Sequence, residues 1–401
     1  TGTCALAHRR LSIVDLSERG RQPMVTEDGL IGLSFNGEIY NYRELRAGLE
    51  GRGYTFRSET DAECLLYLFA SGEPGNLEQL EGMYGFATWN ADRRRLFLAR
   101  DAFGQKPLAI LHGDGFTAFA SELSAFRAIP GFEARLDQES LAQYLLLQYV
   151  HAPRTIYQGV EKLEPGSWTR FDFGSGAPQR TSGRHFAFQP DGGHAGRTPY
   201  EPLDDKRLDA AADELHPILL GAVERRLMSD VPLGAFLSGG IDSGLVVGMM
   251  RRDLGLDVDT FSIGFEGSDE SEHLMARQAA EQLGTRHHEK LLRPDAIELL
   301  PRIARALDEP LGDSSCLPTF LISEFIREHV TVALSGDGGD ELFGGYGRYR
   351  ETLREEADWR MRALYLVRNR RTWKPGRAYC SLRWLMFEPD GVADLAGAEA
   401  G

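Results

Sequence analysis

Six consecutive residues, Ser238, Gly239, Gly240, Ile241, Asp242 and Ser243, follow an apolar run at 231–237 and precede a helix-like stretch at 244–252. Two glycines let the backbone close around an anion, serine hydroxyls add donors, and free amides at a helix start complement negative charge. Phosphate or pyrophosphate is the chemistry such a loop suits. Asp242 sits favourably beside a polyphosphate only when a cation bridges them, and Mg2+ is a hard, oxygen-seeking ion suited to that task. The pattern predicts a magnesium-nucleotide site. It differs from the Walker loop, whose Gly-Lys-Ser/Thr ending is absent.

A second turn repeats this chemistry with more carboxylates. Ser335, Gly336, Asp337, Gly338, Gly339, Asp340 and Glu341 follow a strand-like run at 330–334. Two acidic glycine loops at strand ends suit a shared metal. Glu341 reads as an acid in the first turn of a helix. His287 and His288 resemble a metal pair, yet adjacent strand residues point to opposite faces, so both are expected to border the sheet.

The elements that must position these loops alternate. After Asp205 the expected order is a helix to about 227, the strand at 231–237, a helix, a strand at 260–265 and a helix at 272–283 stopped by Gly284. A strand at 287–292, helices at 295–307 and 318–328, and the strand at 330–334 follow. This is the signature of a doubly wound parallel sheet, in which ligands bind beyond the carboxyl ends of strands. The first half reads differently, with short strands at 30–35, 86–89, 96–99, 107–111 and 116–120 and helices at 42–52 and 61–70, Asn41 and Thr60 being plausible caps. Runs of strands with interrupting helices predict an α+β layered domain. The stretch 174–205, rich in Gly, Pro and Ser, reads as a linker that can include a hairpin.

A chain of 401 residues exceeds the usual size of one core, so two domains are expected. Hydrophobic content of 42% and charged content of 26% are those of an ordinary globular protein. No apolar run reaches membrane-spanning length and no signal pattern opens the chain, so the cytoplasm is the expected compartment and no membrane partner is expected. Cys4, Cys64, Cys316 and Cys380 are far apart and lack a CxxC pair, and are expected to be buried thiols. A formal charge of -15 disfavours nucleic acid as a partner. Residues 346–387 run the other way, with eleven Arg or Lys against four Asp or Glu and three interleaved tryptophans; helix arginines that pair with acidic surface elsewhere explain them better than RNA binding.

Taken in order, VPLGAFLSGGIDS, TFSIGF, LGTRHHE, DEPLGDSS and VALSGDGGDELFGGY, preceded by HRRLSIVD, FNGEIYN and ARDAFGQKPL, resemble the glutamine-hydrolysing asparagine synthetases over nearly the whole chain. The resemblance implies an Ntn-type layered αββα glutaminase domain at 1–173, a linker or hairpin at 174–205 and an ATP pyrophosphatase domain of the adenine nucleotide alpha hydrolase-like type at 206–401. It implies that ATP adenylates the side-chain carboxylate of aspartate, releasing pyrophosphate, and that ammonia then displaces AMP. By resemblance, Ser238, Gly239, Gly240, Asp242 and Ser243 hold the pyrophosphate, Leu237, Ile263, Ser335 and Gly336 line the nucleotide, and Asp242 and Asp340 are magnesium ligands. Asp337 takes the position of an acid that assists ammonia attack.

For the ammonia-producing half, the resemblance implies that Arg10 grips the glutamine carboxylate, Asn36 and Gly37 form the oxyanion pair, Glu38 and Asp61 bind the amine, and Leu11, Ile13 and Val14 form the wall. Read alone, Asn36-Gly37 could equally be a hairpin turn. In the family the nucleophile is a cysteine at the mature amino terminus, well upstream of the HRRLSIVD motif, which begins here at His8. Thr1 and Cys4 fail as substitutes on register. The chain is therefore expected to be a fragment, shortened at both ends and unable alone to hydrolyse glutamine, of an enzyme that forms a homodimer. Three other readings stand beside it: the same machinery acting on another carboxylate in surface-polysaccharide or peptide pathways, a cyclising ligase resembling beta-lactam synthetase, and a pseudoenzyme that binds nucleotide or glutamine. The intact glutamine pocket argues against the cyclase.

Overall fold

The computed structural model describes residues 4–70, 74–174, 178–188, 204–267, 272–293 and 296–351. Thr1, Cys380, most of the basic segment 346–387 and much of 174–205 lie outside them. Two compact units divide the chain. One comprises the residues up to Phe132 with Gly159–Leu233 and Val330–Val332; the other comprises Glu133–Gln158, Gly234–His329 and the residues from Ala333 onward.

In the first unit, strands β1 (Met24–Val25), β2 (Ile31–Ile39), β3 (Gly82–Asn90), β4 (Arg95–Arg100), β8 (Ser167–Asp172) and β9 (Gln179–Arg184) form one antiparallel sheet in the order β1-β2-β3-β4-β8-β9. A second antiparallel sheet, β6-β5-β7, consists of β5 (Ala109–Gly113), β6 (Phe116–Ala120) and β7 (Val160–Lys162). Successive residues of a strand face opposite ways, and here both faces are covered. Phe86, Phe97 and Ala99 pack into one core with residues of α1 (Tyr42–Glu50) and α2 (Asp61–Leu68), while Ala87, Leu96 and Leu98 pack with Leu108 and Ile110 beside the second sheet. This two-sided burial explains why strands 86–89 and 96–99 read as apolar runs. Strand β2 extends past the expected end at 35, and β9 is the partner in a hairpin within the proposed linker.

Local chemistry sets the helix starts. Thr60 accepts the Glu63 amide at 3.2 Å and caps α2. Asn41 does not cap α1; its amide group instead donates to the Gln79 carbonyl at 2.8 Å and accepts from the Glu81 amide at 3.1 Å, tying two loops together. Helix α4 (Asp205–Arg225) begins at the cap Asp204, which accepts from the Arg207 amide. Helix α3 (Gln138–Leu147), which no strong periodicity announced, is started by Asp137 accepting from Ser140.

The second unit holds β11 (Asp259–Phe265), β12 (Arg286–Leu292) and all but the first residue of β10 (Leu233–Phe236) and of β13 (Val332–Leu334), in the order β12-β11-β10-β13, with β10, β11 and β12 parallel. Strand order reverses at β10, which creates the crevice where open α/β sheets bind ligands. Helix α5 (Ile241–Gly248), a π turn at Met249–Asp253, α6 (His273–Leu283), α7 (Ala296–Ala306) and α8 (Cys316–Arg327) connect the strands, and α9 (Gly339–Phe343) follows β13. Gly284 ends α6 in the left-handed region, at φ 68°. Helix α5 begins three residues earlier than its apolar pattern indicated, so Asp242 lies in its first turn.

His287 bonds Thr260 and Ser262 through its two ring nitrogens, while His288 bonds Asp259 and stacks on Phe261, so the pair diverges. Burial of the free thiols is mixed: Cys64 is buried, whereas Cys4 and Cys316 are only half-buried. No helix among the described residues is long and apolar enough to cross a membrane.

Candidate functional site

Two cavities account for most of the residues singled out by sequence. In the parallel-sheet unit, a cavity of about 540 Å³ opens beyond the ends of β10, β11 and β13. Leu237, Ser238, Asp242, Ser243, Ile263, Ser335, Gly336, Asp337 and Asp340 all line it. Gly239 and Gly240 stand outside this lining and shape the turn instead. Gly239 has φ 81°, and a Cβ there would fall 2.6 Å from Met275, so glycine is needed for both reasons. Gly240 caps α5 without a side chain, which leaves the first amides of the helix free of side-chain partners.

Hydroxyls brace the loop from within. Ser243 Oγ accepts the Ser238 amide at 3.2 Å and lies 3.0 Å from Ser238 Oγ, which itself accepts the Gly240 amide. The second loop packs directly on the first. A Cβ on Gly336 would fall 2.8 Å from the Ser243 nitrogen, and one on Gly339 would fall 2.6 Å from the Asp242 carboxylate carbon. Glycine is therefore what lets the Asp242 carboxylate meet the second acidic turn. Asp337 accepts from Ser335 Oγ at 2.9 Å. Glu341 accepts the Tyr346 hydroxyl at 2.6 Å, and that bond holds its carboxyl below the usual range, in keeping with a first-turn helix acid.

Among the described residues no group of three or more His, Cys, Asp or Glu side chains is assembled for a metal. Two carboxylates from adjoining loops still suit Mg2+, which usually takes one or two protein oxygens and completes its shell with phosphate and water. Sequence reading missed Phe236, Ser262, Glu272, His273, Thr319, Ile322 and Tyr346 in this lining. Phe236, Ser262 and Tyr346 lie inside the VPLGAFLSGGIDS, TFSIGF and VALSGDGGDELFGGY motifs, and Thr319 and Ile322 stand just beyond DEPLGDSS, whereas Glu272 and His273 belong to none of these motifs.

The antiparallel unit encloses a cavity of about 890 Å³ lined by Arg10, Leu11, Ile13, Val14, Asn36, Gly37, Glu38 and Asp61, every residue expected there. Asn36 and Gly37 lie within β2, opposite Gly85 and Tyr84, which excludes the hairpin-turn alternative. Gly37 has φ 154°, and a Cβ on it would collide with the Met83 carbonyl and come 2.8 Å from Tyr84 Cα. Arg10 donates from Nη2 to the Val14 and Asp15 carbonyls at 2.6 and 2.7 Å, and the absent Cβ of Gly20 leaves room for its guanidinium.

Asp61 accepts from its neighbours Ile39 and Ala62 at 2.9 Å, yet burial pushes its carboxyl up to about 6 against those bonds. Glu38 is 7% exposed, and its Oε1 has no hydrogen-bond partner. Burial, then the Asp61 charge, push Glu38 up to about 7, opposed by Lys106. Two desolvated carboxylates lining one cavity form a site for a cationic group.

Lys106 went unassigned, although ARDAFGQKPL contains it. That motif builds a tight turn: Asp101 accepts the amides of Tyr84, Phe103, Gln105 and Lys106, while Arg100 donates to three carbonyls. Cys4 also lines the cavity, with burial raising its thiol, which is the opposite of nucleophile activation.

A family model described as a glutamine amidotransferase domain matches residues 1–180, and one described as asparagine synthase matches residues 214–389. The chain is 38% identical over 350 residues to the glutamine-hydrolysing asparagine synthetase 1 of Bacillus subtilis (strain 168), covering 86% of this chain and 52% of that protein. It is 38% identical over 362 residues to a Mycobacterium tuberculosis (strain H37Rv) protein provisionally named for the same activity, covering 88% and 54%. To the glutamine-hydrolysing asparagine synthetase 3 of Arabidopsis thaliana it is 31% identical over 381 residues, covering 90% and 58%. The chain spans about half the length of these curated relatives. The two matches take in both cavities, and the chain belongs to the glutamine-hydrolysing asparagine synthetase family.

Proposed function

We propose that this chain carries the glutamine-binding and nucleotide-binding sites of an enzyme that makes asparagine from aspartate, using ATP and the amide nitrogen of glutamine. Residues 1–173 serve the glutaminase half and residues 206–401 the ATP half. The observation that supports this most is the meeting of the Ser238 and Ser335 loops in one cavity at the strand-order reversal.

A carboxylate is a poor acyl donor because oxide must leave. Attack of the aspartate side-chain oxygen on the α-phosphorus of ATP expels pyrophosphate and gives β-aspartyl-AMP, from which AMP leaves readily when ammonia attacks the acyl carbon. In this reading the loop from Ser238 to Ser243 binds the pyrophosphate through α5 amides, Gly239 and Gly240 setting the turn, while Leu237, Ile263, Ser335 and Gly336 enclose the nucleoside. Asp242 and Asp340 would hold Mg2+, which when bound withdraws charge from phosphate oxygens. Asp337, beside them, assists ammonia by taking a proton as the new C–N bond forms.

In the other cavity Arg10 binds the glutamine carboxylate, Glu38 and Asp61 its ammonium group, and Asn36 and Gly37 the carbonyl oxygen, with Leu11, Ile13 and Val14 as the wall. A cytoplasmic homodimer is the assembly that goes with this reading. The test is pyrophosphate release by the full-length protein with ATP, Mg2+ and ammonia across a set of carboxylic acids. Release that depends on aspartate is expected, and release only with a different acid would move the assignment to that substrate.

A further inference from the structure

We propose that Asp230 is a positioning residue for glutamine binding, one that fixes the bend at residues 13–15 and so holds Arg10 in register with the helix carrying Asp61. This rests on the glutamine reading of the larger cavity. Two reciprocal bonds clamp the bend: the Asp15 amide donates to Asp230 Oδ2 at 2.7 Å, and the Asp230 amide donates to the Ile13 carbonyl at 2.9 Å.

Asp15 needs such a clamp. Its φ of 52° lies in the left-handed region, unfavourable for a residue with a side chain. Every polar group of Asp15 is engaged. Its carbonyl accepts from Arg10 Nη2 at 2.7 Å, and its carboxylate accepts the Ser17 amide at 3.0 Å and the Glu59 amide at 2.8 Å. Glu59 stands two residues before Asp61, the first residue of α2. One residue thus links the group assigned to the substrate carboxylate with the segment carrying a group assigned to its ammonium, and Asp230 is what holds that residue's amide. Asp230 itself lines neither cavity.

The experiment uses the full-length protein with Asp230→Ala, Asp230→Asn and Arg10→Ala, measuring glutamine hydrolysis and ammonia-dependent pyrophosphate release. Asp230→Ala is expected to raise the KM for glutamine about tenfold with kcat and the ammonia-dependent reaction unchanged, the pattern of lost uniform binding. Asp230→Asn, which keeps an oxygen that accepts the Asp15 amide, is expected to restore the wild-type KM. If Arg10→Ala raises the KM while Asp230→Ala does not, or if Asp230→Ala depresses both reactions alike, the positioning role is overturned. An Asn variant as impaired as the Ala variant overturns it as well. If Arg10→Ala leaves the glutamine KM unchanged, the glutamine reading of the cavity fails, and the role of Asp230 with it.

Discussion

Asp61 Oδ2 accepts the backbone amide of Ile39 at 2.9 Å, so the end of β2 and the start of α2 are joined beside the larger cavity. That bond brings Glu38 and Asp61 to the same wall, where the Asp61 charge adds to burial in raising the Glu38 carboxyl.

The consequence is a pH dependence of stability. Glu38 rises from 4.5 to about 7 on folding, so its ionisation opposes the folded state. A raised carboxyl favours folding most below the unfolded value, and that favour is lost as pH climbs through the folded one. Glu38→Gln should therefore stabilise the ligand-free protein by roughly 3 kcal/mol at about pH 8 and by almost nothing near pH 4. Urea unfolding at the two pH values measures this; an equal change at both would mean that Glu38 is ionised as easily in the fold as outside it.

Asp242→Ala should weaken magnesium-dependent ATP binding at least about tenfold, because a polyphosphate loses the carboxylate that anchors its cation. Titration calorimetry with ATP, with and without Mg2+, gives the comparison. Equal affinities for variant and wild type would remove Asp242 from the metal site.

At Gly339, alanine would place a Cβ 2.6 Å from the Asp242 carboxylate carbon. Either the Asp242 carboxylate swings away or the second loop retreats, and in both cases Mg-ATP affinity is expected to fall about tenfold while helix content is unchanged, since the change is a local shift and not unfolding. Circular dichroism and nucleotide titration on the same sample separate the two. Unaltered binding would show that the loops need not touch.

Asp101 gathers four backbone amides into one buried carboxylate. Asp101→Ala strands these donors and should cost at least about 3 kcal/mol, read as a lowered urea midpoint for the antiparallel unit. A midpoint within error of wild type would show that water replaces the carboxylate at little cost.

Much of this protein is written locally. The Ser238 and Ser335 loops, the alternation of strands and helices after Asp205 and the stop at Gly284 are legible because anion binding by a strand-turn-helix, apolar periodicity and left-handed caps depend on residues close together in the chain. Ambiguous short signals resolved only with partners in place. Asn36-Gly37 matches a hairpin turn until β3 is seen to run beside it, and Asn41 looks like a cap until the loops carrying Gln79 and Glu81 claim its side chain. Arg10, Glu38 and Asp61 come from three separate segments, Lys106 joins them from a fourth, and Asp15 meets Asp230 across 215 residues. No local pattern encodes such meetings. They follow from which strands pair and which faces are buried, choices made by the packing of the whole unit.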